Sequence, residues 1–393
     1  MRPFLLCAVL ALWTAPALAM TPEARAALDL SAFRVTDPDA SYFDRAARRA
    51  ALAATDDPVL AAQITDLSMG VSCRDLRERP RLDATILLPG FYEDNAGWRE
   101  SAEVFLSFED AVSALAAAEF VDGGGYHAGC MIDLLGDWAQ SGALLDFRYS
   151  ETERQGWYQI ESSLFAAAMA YSVVRDTVPG RAADKARIED WLVRAARIHL
   201  AIPGGTTGTC CNNHFYRRAL YAAMIGVLAG QDDLFRVGVS AIYSALSDAE
   251  PDGALPLEMA RGSRAVHYQN YAVMYLVLIA EVVARQGHDA HAITVDGKRL
   301  DLLVDFALSA IEDPTRVDRH TGGVAQDLRQ LRDPQYYAWM EPWVARTGDA
   351  RAERLMAPHR PLYNRSLGGF ATLYFHRPTP PDRAPGVLAR LFS

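Results

Sequence analysis

An all-α fold, arranged as an open or closed ring of helical hairpins, is what this sequence predicts, on three observations. Apolar residues recur at helical spacing through eight long stretches. The intervals between those stretches carry the Gly, Pro and Asp of turns. No polar–apolar alternation persists long enough to argue for a strand.

The chain opens MRPFLLCAVLALWTAPALAM, with Arg2 ahead of an apolar core (Phe4 to Ala11) and the small-residue motif Ala17-Leu18-Ala19. That is a secretory leader, and its apolar run is too short to cross a bilayer. It predicts cleavage after Ala19, a mature chain from Met20, loss of Cys7, and a periplasmic or secreted location. Residues 20–393 contain no Pro/Ser-rich linker and read as one domain, expected to be a monomer. Helices follow at 101–120, 130–145, 156–175, 185–200, 217–230, 233–249, 272–287 and 299–312. They come in pairs, with VDGGG (121–125), IPGGTTG (202–208) and PDG (251–253) as turns, and no fixed-period repeat marks a regular solenoid. The segment ILLPGFYEDNAGWRE (86–100) breaks the pattern. It reads either as a surface loop stapled by Phe91 and Trp98 or as a lid over a site.

The formal charge is −10, or −11 once Arg2 is lost, which argues against nucleic acid or an anionic membrane as a partner. A polyanion remains compatible where the site is locally basic, and Arg217, Arg218, Arg261 and Arg264 flank the densest motifs. Four cysteines stay in the mature chain: Cys73, Cys130, Cys210 and Cys211. They can pair in three ways. Adjacent Cα atoms lie about 3.8 Å apart and ordinary bridges span about 4.4 Å or more, so geometry by itself favours long-range pairs or free thiols. No metal or cofactor is predicted, because H-E-x-x-H, paired C-x-x-C and calcium-loop patterns are missing, and His288 and His291 follow a helix end.

Three constellations carry chemistry. Asn212, Asn213, His214 and Tyr216 crowd one helix mouth; Arg264, Tyr268 and Tyr271 share a helical face at i, i+4 and i+7; and Arg365 precedes SLGGF. Taken singly, each has a plainer reading as a cap, a packing stripe or a turn. Together they suit β-elimination across a 4-O-linked uronate. That reaction takes the C5 proton alpha to a carboxylate, expels the C4 oxygen, and needs the carboxylate neutralised meanwhile. Asn213 and Arg264 offer the neutralising groups, and His214 and Tyr271 the proton carriers.

CCNNHFY (210–216) and DGALPLEMARGSRAVHYQNYA (252–272) resemble the alginate lyase family that cleaves poly-mannuronate. The resemblance extends to CMIDLLGDWAQSGALL (130–145), AWMEPW (338–343) and RPLYNRSLGGF (360–370). It implies an incomplete (α/α) toroid, with Asn213 and Arg264 as carboxylate neutralisers and His214 and Tyr271 as the acid–base pair. It also implies Arg365 on the substrate and Tyr92 on a lid. Tyr216, Arg217, Arg261, His267, Tyr268 and Trp343 are further candidates for holding sugar. A vicinal Cys210–Cys211 disulfide and a Cys73–Cys130 bridge are implied in the same way. Departures are Arg217 where the family commonly has Trp, a thinned basic run over Ala260 to Ser263, and His267 and Gln269 in place of Ala and His. Two other classes compete. A glycoside hydrolase would need paired carboxylates such as Asp252 and Glu258. A polysaccharide-binding or export protein would need no acid–base pair.

Overall fold

A computed structural model describes residues 19–70, 72–77, 87–146, 149–150, 154–205 and 208–378. The leader core, Cys7, and positions 206 and 207 of the Gly-rich turn lie outside the described residues. The helices are α1 (Pro22–Ala26), α2 (Arg45–Ala53), α3 (Pro58–Gly70), α4 (Cys73–Arg77), α5 (Asn95–Asp122), α6 (Tyr126–Ser141) and α7 (Arg154–Val174). They continue as α8 (Ala182–Leu200), α9 (Asn213–Ala229), α10 (Asp232–Asp248), α11 (Pro256–Met259), α12 (Ala265–Arg285) and α13 (Leu300–Glu312), followed by short helical turns as far as Phe375. Among the described residues there are no strands, only isolated bridges at Val295–Lys298 and Asn364–Gly369.

Every helix expected from periodicity is present, but the site-bearing ones start early. The helix expected at 217 starts at 213, and the one expected at 272 starts at 265. At α9 the cap explains the shift, because the Asn212 side chain accepts from the His214 N–H at 3.0 Å. At α12 the first turns hold His267, Tyr268, Gln269 and Asn270, polar residues that are nevertheless buried. The helix expected at 101 starts at Asn95, where the Asp94 side chain accepts from Gly97 N–H, so the last six residues of the 86–100 segment are helix and residues 87–94 remain a loop with a turn.

α5 packs on α6, α7 on α8, α9 on α10 and α12 on α13, while α5, α7, α9 and α12 pack in sequence on one another. The result is an (α/α) toroid with those four as the inner ring. The α9–α10 hairpin closes tightly through two glycines. A Cβ on Gly226 would lie 2.4 Å from Phe235 N, and one on Gly238 would lie 2.6 Å from the Ala223 Cβ. The main apolar core runs from Leu30 to Phe375 and takes in the buried Trp138, Trp157, Trp191 and Trp339. Among the described residues no helix is long and apolar enough to cross a membrane.

Cys73 bridges Cys130 with Cα atoms 5.8 Å apart, tying α4 to α6. Cys210 and Cys211 are bonded to each other just ahead of α9. The geometric preference for long-range pairs or free thiols is corrected there, since the bond forms within a turn.

Candidate active site

The inner helices begin at a common mouth. The ring of Tyr158, early in α7, stacks on His214, at the start of α9, with centroids 4.0 Å apart. Tyr92, just before α5, shares a hydroxyl hydrogen bond of 2.8 Å with Tyr268, in the first turn of α12. Helix N-termini present unpaired N–H groups and partial positive charge, so a mouth built from several of them favours an anion.

Asn213 is anchored from below. Its backbone N–H donates to Glu258 Oε1 at 2.7 Å and its Nδ2 to Oε2 at 2.8 Å, while its buried Oδ1 has no partner among the described residues. Glu258 is fully buried. Burial pushes its carboxyl up to about 7, against the two Asn213 bonds and Arg261, which favour the charge. One amide hydrogen of Asn213 is thus committed to Glu258 and the other is left for a ligand. Both carboxylates of the hydrolase reading are engaged elsewhere: Glu258 by Asn213, and Asp252 by Arg319 and, at 3.0 Å, by His320.

His214 is half-buried, and its Nδ1 lies 3.2 Å from Arg217 Nη2. A guanidinium has only donors, so Nδ1 accepts and a neutral ring carries its proton on Nε2. Burial, then Arg217, hold the imidazole well below its usual range, so it is neutral. Arg217 is fixed by Glu161, with Nε at 3.1 Å and Nη2 at 2.7 Å, and by Ser162 Oγ at 3.2 Å. Arg218 donates to the other Glu161 oxygen at 3.1 Å. Burial works against the Glu161 charge, but Arg217 and Arg218 together hold its carboxyl at about 2. The sequence reading of Arg217 as a sugar contact is therefore corrected: it is 5 % exposed and works from behind His214.

At the α12 mouth a 3-10 turn over Gly262–Arg264 leads into the helix. The Arg264 guanidinium lies 4.0 Å over the Tyr92 ring, and that of Arg261 lies 3.9 Å over Tyr268. Tyr271 is half-buried, its ring 5.0 Å from Tyr275, 5.7 Å from His267 and 6.0 Å from Tyr336. Arg217 also lies close enough to Tyr271 and Tyr275 to interact electrostatically with both phenols. Burial, then Arg261 and Arg264, push His267 down to about 4, so a second neutral imidazole flanks Tyr271. Burial pushes the phenols of Tyr92, Tyr158, Tyr275 and Tyr336 up.

Asn213, His214, Arg261, Arg264, His267, Tyr268, Tyr271 and Tyr92 thus form one cluster. Arg365 sits on the α5 side, held by Asp110 at 2.9 and 3.2 Å. Two candidates fall elsewhere. Tyr216 is 1 % exposed and lies behind the mouth beside Asp248 and Glu258, because a residue two positions from His214 points away from it. Trp343 donates to Asp349 at 3.0 Å and packs on His291, beside Glu281. Glu281 lies ten residues beyond Tyr271 on α12, about 15 Å along the helix at the usual rise. Sequence reasoning missed Glu161, Tyr158 and Tyr336. The one available signal was Glu161 itself, an acid opening the apolar run ESSLFAAAMA. Among the described residues no cluster of three or more His, Cys, Asp or Glu could hold a metal.

A helical toroid whose mouth gathers guanidiniums, a neutral imidazole and phenols has the frame of an enzyme that handles an anionic chain. The family model described as alginate lyase matches residues 79–317. A polysaccharide lyase of Stenotrophomonas maltophilia is 33% identical over 246 residues, covering 63% of this chain and 71% of that one. An alginate lyase of Pseudomonas entomophila is 28% identical over 259 residues, covering 63% and 67%. The crystal structure of alginate lyase A1-III from Sphingomonas species A1 superposes with a TM-score of 0.80 at 31% identity, covering 88% of this chain and 98% of that one. The chain belongs to the alginate lyase family, and it is a polysaccharide lyase.

Proposed function

We propose that this enzyme cleaves a 4-O-linked polyuronate, mannuronan first and glucuronan next, by β-elimination. Cleavage leaves a 4,5-unsaturated uronate at the new non-reducing end. The observation that carries this reading is the state of the acids under the mouth. Glu161 and Glu258 are both fully buried and fully engaged, by Arg217 and Arg218 and by Asn213. Neither is free to flank a scissile bond, and Asp252 is held by Arg319 and His320, so a phenol serves as the proton carrier. Alginate lyase A1-III supports the same reading, having been complexed with a tetrasaccharide both as a His-to-Ala and as a Tyr-to-Phe variant.

In this mechanism the substrate carboxylate lies against Arg264 and the free amide hydrogen of Asn213. His214, locked by Arg217, donates from Nε2–H to the same carboxylate, so it serves as a donor and the base lies elsewhere. Tyr271 as phenolate takes the C5 proton. The C5–H electrons form the C4=C5 bond, the C4–O4 bond breaks, and the phenol returns the proton to O4. In mannuronate and glucuronate H5 and O4 lie on the same side of the ring, so one tyrosine can reach both. In guluronate they lie on opposite sides. Arg261, Tyr268, Tyr92 and Arg365 hold neighbouring sugars. The chain acts as a single-domain monomer, exported by the leader at residues 1–19. The test is ultraviolet absorbance on poly-mannuronate: a lyase creates a conjugated C4=C5 bond, whereas reducing ends appearing without absorbance would return the hydrolase reading.

A further inference from the structure

The C-terminal residue of α10, Asp248, is buried at the side of the mouth away from the substrate cluster, and nothing in the mechanism uses it. Its Oδ1 accepts from the Met20 backbone N–H at 2.7 Å. Its Oδ2 is buried and has no partner among the described residues. Leaving one oxygen of a buried carboxylate unpaired is costly. The nearby cations do not supply a bond. Arg25 donates to Met20 O at 2.8 Å and to Cys210 O at 2.6 Å, and Lys298 donates to Ser247 O at 3.2 Å and Ala249 O at 2.7 Å. Ala19 forms one wall of a small cavity whose other walls include Cys211, Tyr216, Asp248, Leu255 and Glu258.

We propose that Asp248 is the docking site for the primary ammonium of Met20, formed when the chain is cut after Ala19. The inference rests on reading residues 1–19 as a removable leader. Hydrolysis of the Ala19–Met20 bond consumes one water. The carboxylate leaves with the leader, and the new amine takes up a proton. An amide offers Asp248 one hydrogen; an ammonium offers three, enough for Oδ1 and Oδ2 with one directed into the space Ala19 vacates. With the amide in place, burial pushes the Asp248 carboxyl up to about 6, against the Met20 bond, Arg25 and Lys298, and a full positive charge at Met20 would bring it down. The docked terminus braces the catalytic wall. Arg25, which holds Met20 O, also holds Cys210 O, in the disulfide turn immediately before Asn212 and Asn213, and lies 3.8 Å over the Phe215 ring.

The test is a double-mutant cycle on thermal midpoint. Intact mass of the exported enzyme first fixes its terminus, and a terminus other than Met20 overturns the proposal at the leader reading. Asp248→Asn is then compared in the mature enzyme and in a form that keeps Ala17-Leu18-Ala19 ahead of Met20. In the extended form an asparagine oxygen still accepts from the Met20 N–H, so the midpoint should move by about 2 °C or less, against about 5 °C or more in the mature form. Equal losses in both forms overturn the docking. If Asp248→Asn does not fold, the unmutated pair answers the same question. An α-ammonium paired with a carboxylate has its pKa raised from about 8, so its stability is present below that pH and lost as pH climbs past it. Asp248, Glu258, Arg25, Lys298 and Tyr216 are the charged or titratable groups facing it, and Glu258 stands alike in both forms. The mature midpoint should therefore fall between about pH 8 and 10 by several degrees more than the extended one. Parallel falls overturn the proposal.

Discussion

Arg217→Met keeps the length of the side chain and removes the cation behind His214. It deletes the bonds of 3.1 and 2.7 Å to Glu161 and of 3.2 Å to Ser162. Removing one partner of a buried pair costs about 3–5 kcal/mol. Arg218, at 3.1 Å, still pairs Glu161 one to one, so the lower end applies, about 3 kcal/mol. At about 2–4 °C per kcal/mol for a large domain, the thermal midpoint should drop by about 6–12 °C, with the enzyme folded at room temperature. His214 gives the sharper readout. Arg217 disfavours its protonation and occupies its Nδ1. In the wild type, nitrogen-resolved NMR should find His214 neutral across the ordinary imidazole titration range with its proton on Nε2. In Arg217→Met its pKa should rise towards the ordinary value of about 6.5, as far as burial allows, with the added proton going to Nδ1. A wild-type His214 protonated on Nδ1, or titrating near 6.5, would refute the reasoning.

Glu258→Gln should cut turnover about tenfold or more by loosening Asn213, with KM moving less. The same variant tests the buried charge. Burial raises the Glu258 pKa from 4.5 to about 7, so its stability is full below 4.5 and lost as pH climbs through 7. The wild-type midpoint should therefore fall between pH 5 and 8 while that of Glu258→Gln stays flatter; parallel curves would contradict this. Tyr92→Phe loses the 2.8 Å bond to Tyr268 but keeps the ring under Arg264. KM should rise about 2–10-fold with kcat near wild type, and a collapse of kcat would move Tyr92 into the chemistry. Arg264→Ala should lower kcat about 10²–10³-fold, because the charge it stabilises grows in the transition state; a change in KM alone would reassign it as a sugar contact.

The fold was legible because long apolar helices announce themselves by period, as RRALYAAMIGVLAG does. The site was legible only where its residues cluster in sequence. Asn213 and His214 are adjacent, and Arg264, Tyr268 and Tyr271 share a face, so periodicity placed them together. Glu161 could not be linked to Arg217 that way, since 56 residues separate them and only the α7–α9 packing joins them. Arg217 looked like a sugar contact because it follows the motif, but at i+3 from His214 it lies under the imidazole on the same face. Trp343 failed for the opposite reason. Its motif neighbours place it on a helix, and nothing in a local pattern tells which end of α12 that helix meets.

The most direct test of the single-tyrosine mechanism is the initial rate of ultraviolet absorbance increase on pure poly-mannuronate, glucuronan and poly-guluronate, for the wild type and Tyr271→Phe. The wild type should cut one or both of the first two well and poly-guluronate poorly. Tyr271→Phe should stay folded and lose about two to four orders of magnitude in turnover. Efficient cleavage of poly-guluronate with the other two inert, or a Tyr271→Phe enzyme keeping more than about a tenth of the wild-type rate, would contradict the account.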